Sequence, residues 1–205
     1  MNRRFVPWLL FTLCLSVSAS AQTRGPSSSA SSTPPWLPRS AFLGTYIREH
    51  EEQLAILPQA RVQWELVFYQ GYRDVLALLI EPMAAFAAVK PDTVVEGSSV
   101  PMTSLQLYSL VLGVGYRSRS SSGLEWGFQL GTGPAWYGAR FRGGSKAQES
   151  YFVGLLDGRA QVGYRFGPVS LGVVVGYGDL YNYRRTSLAR PYTGGPQFGL
   201  YADWR

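Results

Sequence analysis

Residues 123–138, GLEWGFQLGTGPAWYG, alternate between two kinds of side chain. Leu124, Trp126, Phe128, Leu130, Thr132, Pro134 and Trp136 share one parity; Glu125, Gly127, Gln129, Gly131, Gly133, Ala135 and Tyr137 share the other. Successive strand residues point to opposite faces, so this stretch reads as a strand with one bulky apolar face and one small or polar face. The same period recurs at residues 61–69, 105–117, 151–166, 169–181 and 197–204. Residues 41–47 and 75–81 complete eight candidate strands, although REHEEQLAIL and VLALLIEPMAAFAAV also carry helix-forming composition. Pro82 argues against one long helix through the second.

Period two alone does not say which face is inside. The small set is rich in glycine: Gly113, Gly115, Gly127, Gly131, Gly133, Gly163, Gly172, Gly176 and Gly199. Eight strands enclose little volume, so small residues belong inward and bulky ones outward, against lipid. Trp126 and Trp136 lie ten residues apart, which is ~33 Å along a strand and ~25 Å along the normal of a tilted one, the height of a lipid-facing band. No apolar stretch is long enough for a membrane-spanning helix, so a membrane location requires strands. The fold class expected is therefore all-β, an eight-stranded antiparallel transmembrane β-barrel.

Connections support that topology. Short links are expected at 71–74, 118–123 and 167–168, long ones at about 48–60, 82–104, 142–150 and 182–195, the pattern of periplasmic turns and extracellular loops. Gly-Tyr-Arg occurs three times, at residues 71–73, 115–117 and 163–165, each leading into a short turn, and the chain ends on Trp204 and Arg205. Tyr72, Tyr116, Tyr164 and Trp204 are the candidate periplasmic aromatic girdle.

The N-terminus has the three parts of a secretory signal peptide: Arg3 and Arg4, an apolar run and Ala19-Ser20-Ala21. Residues 1–21 are expected to be cleaved, 22–39 form a Ser/Pro-rich leader and 40–205 form the barrel domain. Cys14 lies in the apolar run, so the mature chain has no thiol, disulfide or Cys-ligated metal. Removing Arg3 and Arg4 from the 19 basic residues leaves 17 against 13 acidic ones, a mild excess that suits an anionic membrane and does not call for nucleic acid.

Glu65, Glu125, Asp157, Arg159 and Arg165 fall on the inward parity with Gln63, Gln129, Gln161, Gln197 and Asp203. Charges of both signs in a narrow interior are expected to pair as a lumen network, because an isolated buried charge is costly.

Residues 40–205 resemble, by pattern, the small eight-stranded outer-membrane barrels of the OmpA-membrane-domain and OmpX type. Gln197, Gly199 and Trp204 in QFGLYADWR look like the terminal strand signal of that class, with Ala202 and Arg205 as departures from it. The resemblance implies a bacterial outer-membrane location and recognition by the barrel-assembly machinery. Outer-membrane lipids and lipopolysaccharide are the expected environment.

No catalytic, metal or cofactor motif stands out. His50, the only histidine, sits among Glu49, Glu51 and Glu52 and lacks the His-x-Ser-type signature of barrel enzymes that modify lipid A. The reading is a non-enzymatic barrel with a filled lumen and a structural or surface-interaction role, with Arg142, Arg184 and Arg185 as candidate lipopolysaccharide or anion contacts. A lipid A deacylase or acyltransferase and a secreted lipocalin-like barrel are the alternatives.

Overall fold

The computed structural model describes residues 37–143, 148–182 and 186–204. The expected signal peptide, most of the leader, and Arg184, Arg185 and Arg205 lie outside the described residues. The strands are β1 (Ser40–His50), β2 (Gln53–Gln70), β3 (Asp74–Phe86), β4 (Asp92–Val95), β5 (Ser98–Arg119), β6 (Leu124–Phe141), β7 (Gln148–Phe166), β8 (Val169–Tyr181) and β9 (Gly195–Trp204). Eight of them form an antiparallel ring: β3 pairs with β5 across the excursion through β4, and β1 pairs with β9 from Ser40↔Asp203 to Tyr46↔Gln197. β4 stands outside the ring as a short hairpin on β5, Asp92 opposite Pro101 and Val95 opposite Ser98.

The expected faces hold. On β6, Glu125, Gly127, Ala135 and Tyr137 are buried, while Leu124, Trp126, Phe128 and Leu130 are exposed. The exposed set continues around the ring through Leu43, Leu66, Leu78, Leu112, Val173 and Leu200. In a bilayer this belt meets acyl chains, and ring closure leaves no backbone edge in the hydrocarbon. Two aromatic groups mark its ends. Tyr116 packs edge-on against Trp126 at 5.4 Å near the short turns; Tyr108 stacks on Trp136 at 5.6 Å and meets Phe86 at 5.6 Å near the other end.

Inward glycines let the interior fill from opposite strands. A Cβ on Gly131 would stand 2.5 Å from Val111 Cγ1, so the space a side chain would need is already taken.

Two expected loops need correction. The long connection expected at 48–60 is a two-residue turn, because β1 and β2 stay paired up to His50↔Gln53. Glu51 and Glu52 both take positive φ there (48° and 64°), as a tight hairpin turn demands. The region 82–104 is likewise mostly strand: β3 runs to Phe86, and the β4–β5 hairpin turns at Glu96 and Gly97. The segments with helix-forming composition are strands because pairing on both sides outweighs intrinsic propensity.

Leu130→Arg, on the lipid-facing side, is expected to cost about 2–4 kcal/mol of folding stability near the bilayer midplane. Leu130→Phe should cost little. Equilibrium unfolding in lipid vesicles reads both.

Candidate functional site

The lumen is filled in layers. Arg61 lies at the middle of β2, inward and 2 % exposed. Its Nη1 is 2.9 Å from Glu81 Oε1 and 3.0 Å from Asp157 Oδ2, and its Nη2 donates to Asp157 Oδ1 (3.0 Å), Gln197 Oε1 (2.9 Å) and the Tyr46 hydroxyl (2.6 Å). Nε donates to Gln59 Oε1 at 2.8 Å. Arg159 reaches both oxygens of Glu81 through Nη2 (2.6 Å each), and its Nε lies 2.9 Å from Asp157 Oδ2. Gln197 Nε2 closes the circuit on Asp157 at 2.8 Å. Two guanidinium groups thus meet two carboxylates from β2, β3 and β7, with the ring of Phe42 under both cations at 5.5 and 5.7 Å. Buried charges persist when they are paired and hydrogen-bonded, as these are.

Toward the short turns lies a second layer. Arg117 grips Glu65 through two parallel bonds (3.0 and 2.9 Å) and Asp203 through a third (2.6 Å). Gln63 donates to Glu65 at 3.0 Å. Arg119 pairs with Glu125 at the rim. The spaces left among Arg117, Gln129 and Gln161 are each no larger than about one water molecule.

Away from the short turns the lumen becomes apolar. Leu57, Ala85, Leu105, Leu107, Ala135, Tyr137, Val153, Leu155 and Leu180 pack into one cluster with Ala189 and Tyr192 from the β8–β9 connection. That connection lies over the mouth, where Glu149 of β7 accepts from the backbone N–H of Leu188 (2.8 Å) and Ala189 (3.2 Å) and from Ser187 Oγ (3.2 Å). Tyr137 meets Ser187 beneath it. A short 3₁₀ helix, Arg190–Tyr192, drives the Tyr192 ring inward, and its hydroxyl donates to the Asp92 carbonyl at 3.0 Å. Burial, with the Glu51 and Asp92 charges adding, raises the Tyr192 pKa above the ordinary tyrosine value.

Of the five residues expected in the lumen network, Asp157 and Arg159 join the central layer, Glu65 the second, and Glu125 the rim pair. Arg165 does not join them: its Nε donates to the Gly167 carbonyl at 2.7 Å within the β7–β8 turn, the nearest acceptor for a side chain one residue from the strand end. Arg61, Glu81 and Arg117 are lumen charges outside the five expected in that network. Among the girdle candidates, Tyr116, Tyr164 and Trp204 lie on outward-facing strand positions, Tyr116 donating to Asp74 at 2.7 Å and Tyr164 packing on Phe166 at 5.1 Å. Tyr72 sits in the turn itself, 97 % exposed, with Arg73 over its ring. Arg142 is exposed just beyond β6. His50 Nε2 is 3.5 Å from Glu51 Oε1, and its ring meets Tyr192 edge-on at 5.8 Å. Among the described residues no three potential metal ligands converge.

A closed barrel with an apolar exterior, aromatic ends and a packed polar lumen defines a class, the small outer-membrane β-barrels. The chain has this fold and is placed in the bacterial outer membrane. Neisserial surface protein A shares it, with a TM-score of 0.54 and 13 % identity over 81 % of this chain and 95 % of that one. The outer membrane enzyme PagL gives 0.49 and 13 %, covering 82 % and 99 %. Ail, the attachment invasion locus protein of Yersinia pestis, solved with the heparin analogue sucrose octasulfate, gives 0.42 and 11 %, covering 82 % and 96 %. No family model and no curated protein matches by sequence.

Arg61→Met is expected to destabilise the barrel by about 3–5 kcal/mol, because Glu81 and Asp157 stay buried with a deficit of positive charge. Adding Asp157→Asn should recover part of that loss. Urea unfolding of the single and double variants in vesicles measures the difference.

Proposed function

We propose that this protein is a sealed, non-enzymatic outer-membrane barrel that acts through its outer rim, in a structural or surface-interaction role. The observation that carries the reading is the ionic layer of Arg61, Glu81, Asp157 and Arg159, which spans the lumen from three strands. An apolar plug and the β8–β9 connection lie above it. Ions would have to break paired charges and then cross a dry core. Recognition is left to the exterior: Arg142, Arg184 and Arg185 are proposed contacts to lipopolysaccharide phosphates or another surface anion, and the terminal strand to be the segment engaged by the barrel-assembly machinery.

The enzymatic alternative has less support. The contacts of His50 are Glu51 and the Tyr192 ring, and among the described residues no serine hydroxyl bonds to it. A nucleophile–base pair needs that bond.

Two measurements test the reading. In planar bilayers the refolded protein should give no stable porin-sized current steps, and radiolabelled lipopolysaccharide should stay fully acylated in its presence. Deacylation that disappears in His50→Ala would replace this proposal with the enzymatic one. The triple variant Arg142→Gln, Arg184→Gln, Arg185→Gln should assemble normally but bind phosphorylated lipid A more weakly; unchanged binding would remove these arginines from the account.

A further inference from the structure

Along β1 the inward residues are Phe42, Gly44 and Tyr46, and the next position of that parity is Arg48. Its guanidinium nevertheless ends on the outside. Nη1 donates to the hydroxyl of Tyr177 at 2.8 Å, and Tyr177 belongs to the lipid-facing row of β8 with Val173 and Val175. Nε donates to the Pro191 carbonyl at 3.1 Å.

The route outward exists because of how the β1–β9 seam ends. Their ladder stops at Tyr46↔Gln197, and beyond it the chain turns through Gly194 and Gly195, both at positive φ. A Cβ on Gly195 would lie 3.3 Å from Arg48 Cδ and 2.7 Å from the Ile47 carbonyl oxygen. Glycine here leaves the passage that the arginine stem occupies.

A guanidinium carries five N–H donors. The bonds to Tyr177 and Pro191 fix its plane, and the remaining donors have no protein acceptor among the described residues. No carboxylate lies within ion-pair distance of it among those residues either, unlike Arg61, Arg117, Arg119 and Arg159. The group stands at the upper end of an apolar stripe formed by Val173, Val175, Phe198 and Leu200. A cation at that place, oriented and with no counter-charge among the described residues, faces the boundary where acyl chains give way to headgroups.

We infer that Arg48, oriented by Tyr177, binds a phosphate on an outer-leaflet lipid. Free N–H groups in a fixed plane suit phosphate oxygens bidentately. The apolar stripe directly below would seat acyl chains of the same molecule, which favours a lipid phosphate over a free anion. The inference rests on the outer-membrane placement of the barrel and not on its being sealed.

The test reconstitutes wild type, Arg48→Gln, Tyr177→Phe and, as a control at the opposite end, Arg73→Gln into phosphatidylcholine nanodiscs containing either bis-phosphorylated or dephosphorylated lipid A. Lipid A retained after detergent release is counted by native mass spectrometry, and gel mobility before and after heating checks folding. Wild type and Arg73→Gln should prefer the phosphorylated form by about ten-fold, the size one charge-assisted hydrogen bond supplies. Arg48→Gln should reduce that preference several-fold, leaving what the loop arginines contribute, and Tyr177→Phe should reduce it less. Equal retention of the two lipids by wild type overturns the inference, as does an undiminished preference in folded Arg48→Gln. Should Arg48→Gln fail to fold, Tyr177→Phe decides: a preference equal to wild type overturns the inference. Loss of the preference in millimolar inorganic phosphate would show a free-anion site instead and overturn the lipid assignment. Current through the wild-type barrel would overturn the sealed reading while leaving this preference measurable.

Discussion

A strand in hydrocarbon has no water to satisfy its N–H and C=O groups, so this chain depends on the ladder between β1 and β9. Seven residue pairs join them, from Ser40↔Asp203 to Tyr46↔Gln197. That closure forces one face of every strand into a narrow interior and the other into lipid, and so makes period two the dominant regularity of the sequence. It also brings β2, β3 and β7 close enough across the ring for Arg61, Glu81 and Asp157 to meet.

The interior this closure creates is divided. Its inner half holds acidic and basic side chains in contact with one another, and its outer half holds leucine, alanine and tyrosine packed as in a soluble core. The division has a geometric cause. Beyond the bilayer the strands continue, and above the aromatic group of Tyr108 and Trp136 they need a core of their own. Apolar side chains provide one without the close pairing that buried charges require. The polar layers are tolerated at membrane depth because the barrel wall screens them from lipid and each of these charges has an opposite charge in contact.

The same division accounts for which parts of the fold are legible in the sequence. Where the outside is lipid and the inside is polar or glycine, contrast between the faces is high, and residues 124–136 read as strand with the right face outward. Near residues 53–60 both faces are apolar, with Leu54 and Ile56 on one side and Ala55 and Leu57 on the other, so alternation fades and a paired segment reads as a loop. Residues 82–86, Pro-Met-Ala-Ala-Phe, fail for the same reason. The lumen charges are only partly legible. Parity with Gln63 and Glu65 points Arg61 inward, yet it stands at the edge of the expected strand; Glu81 closes a segment whose helix-forming composition obscures its face. Which carboxylate meets which arginine is set by register around the whole ring, information that no local stretch contains. Arg165 shows the limit of parity itself. At a strand end a long side chain can satisfy its charge at the turn, and it does.

Arg48 is the complementary case, an inward position whose charge lies outside. Both departures occur where the ladder ends, because only there can a side chain leave the face its parity assigns. In the middle of a closed barrel a guanidinium on the inner face must find carboxylates, as Arg61 does; at the seam it can pass a glycine to the surface. The ends of the strands are therefore where a barrel with an occupied lumen has chemical freedom. On the outer side that freedom is considerable: a two-residue turn carrying Glu51 and Glu52, the projecting hairpin of β4, and a connection held in the mouth by Glu149 all stand on the same rigid ring. Each can change its exposed side chains without disturbing the ionic layer beneath, since none of its exposed residues contributes to that layer.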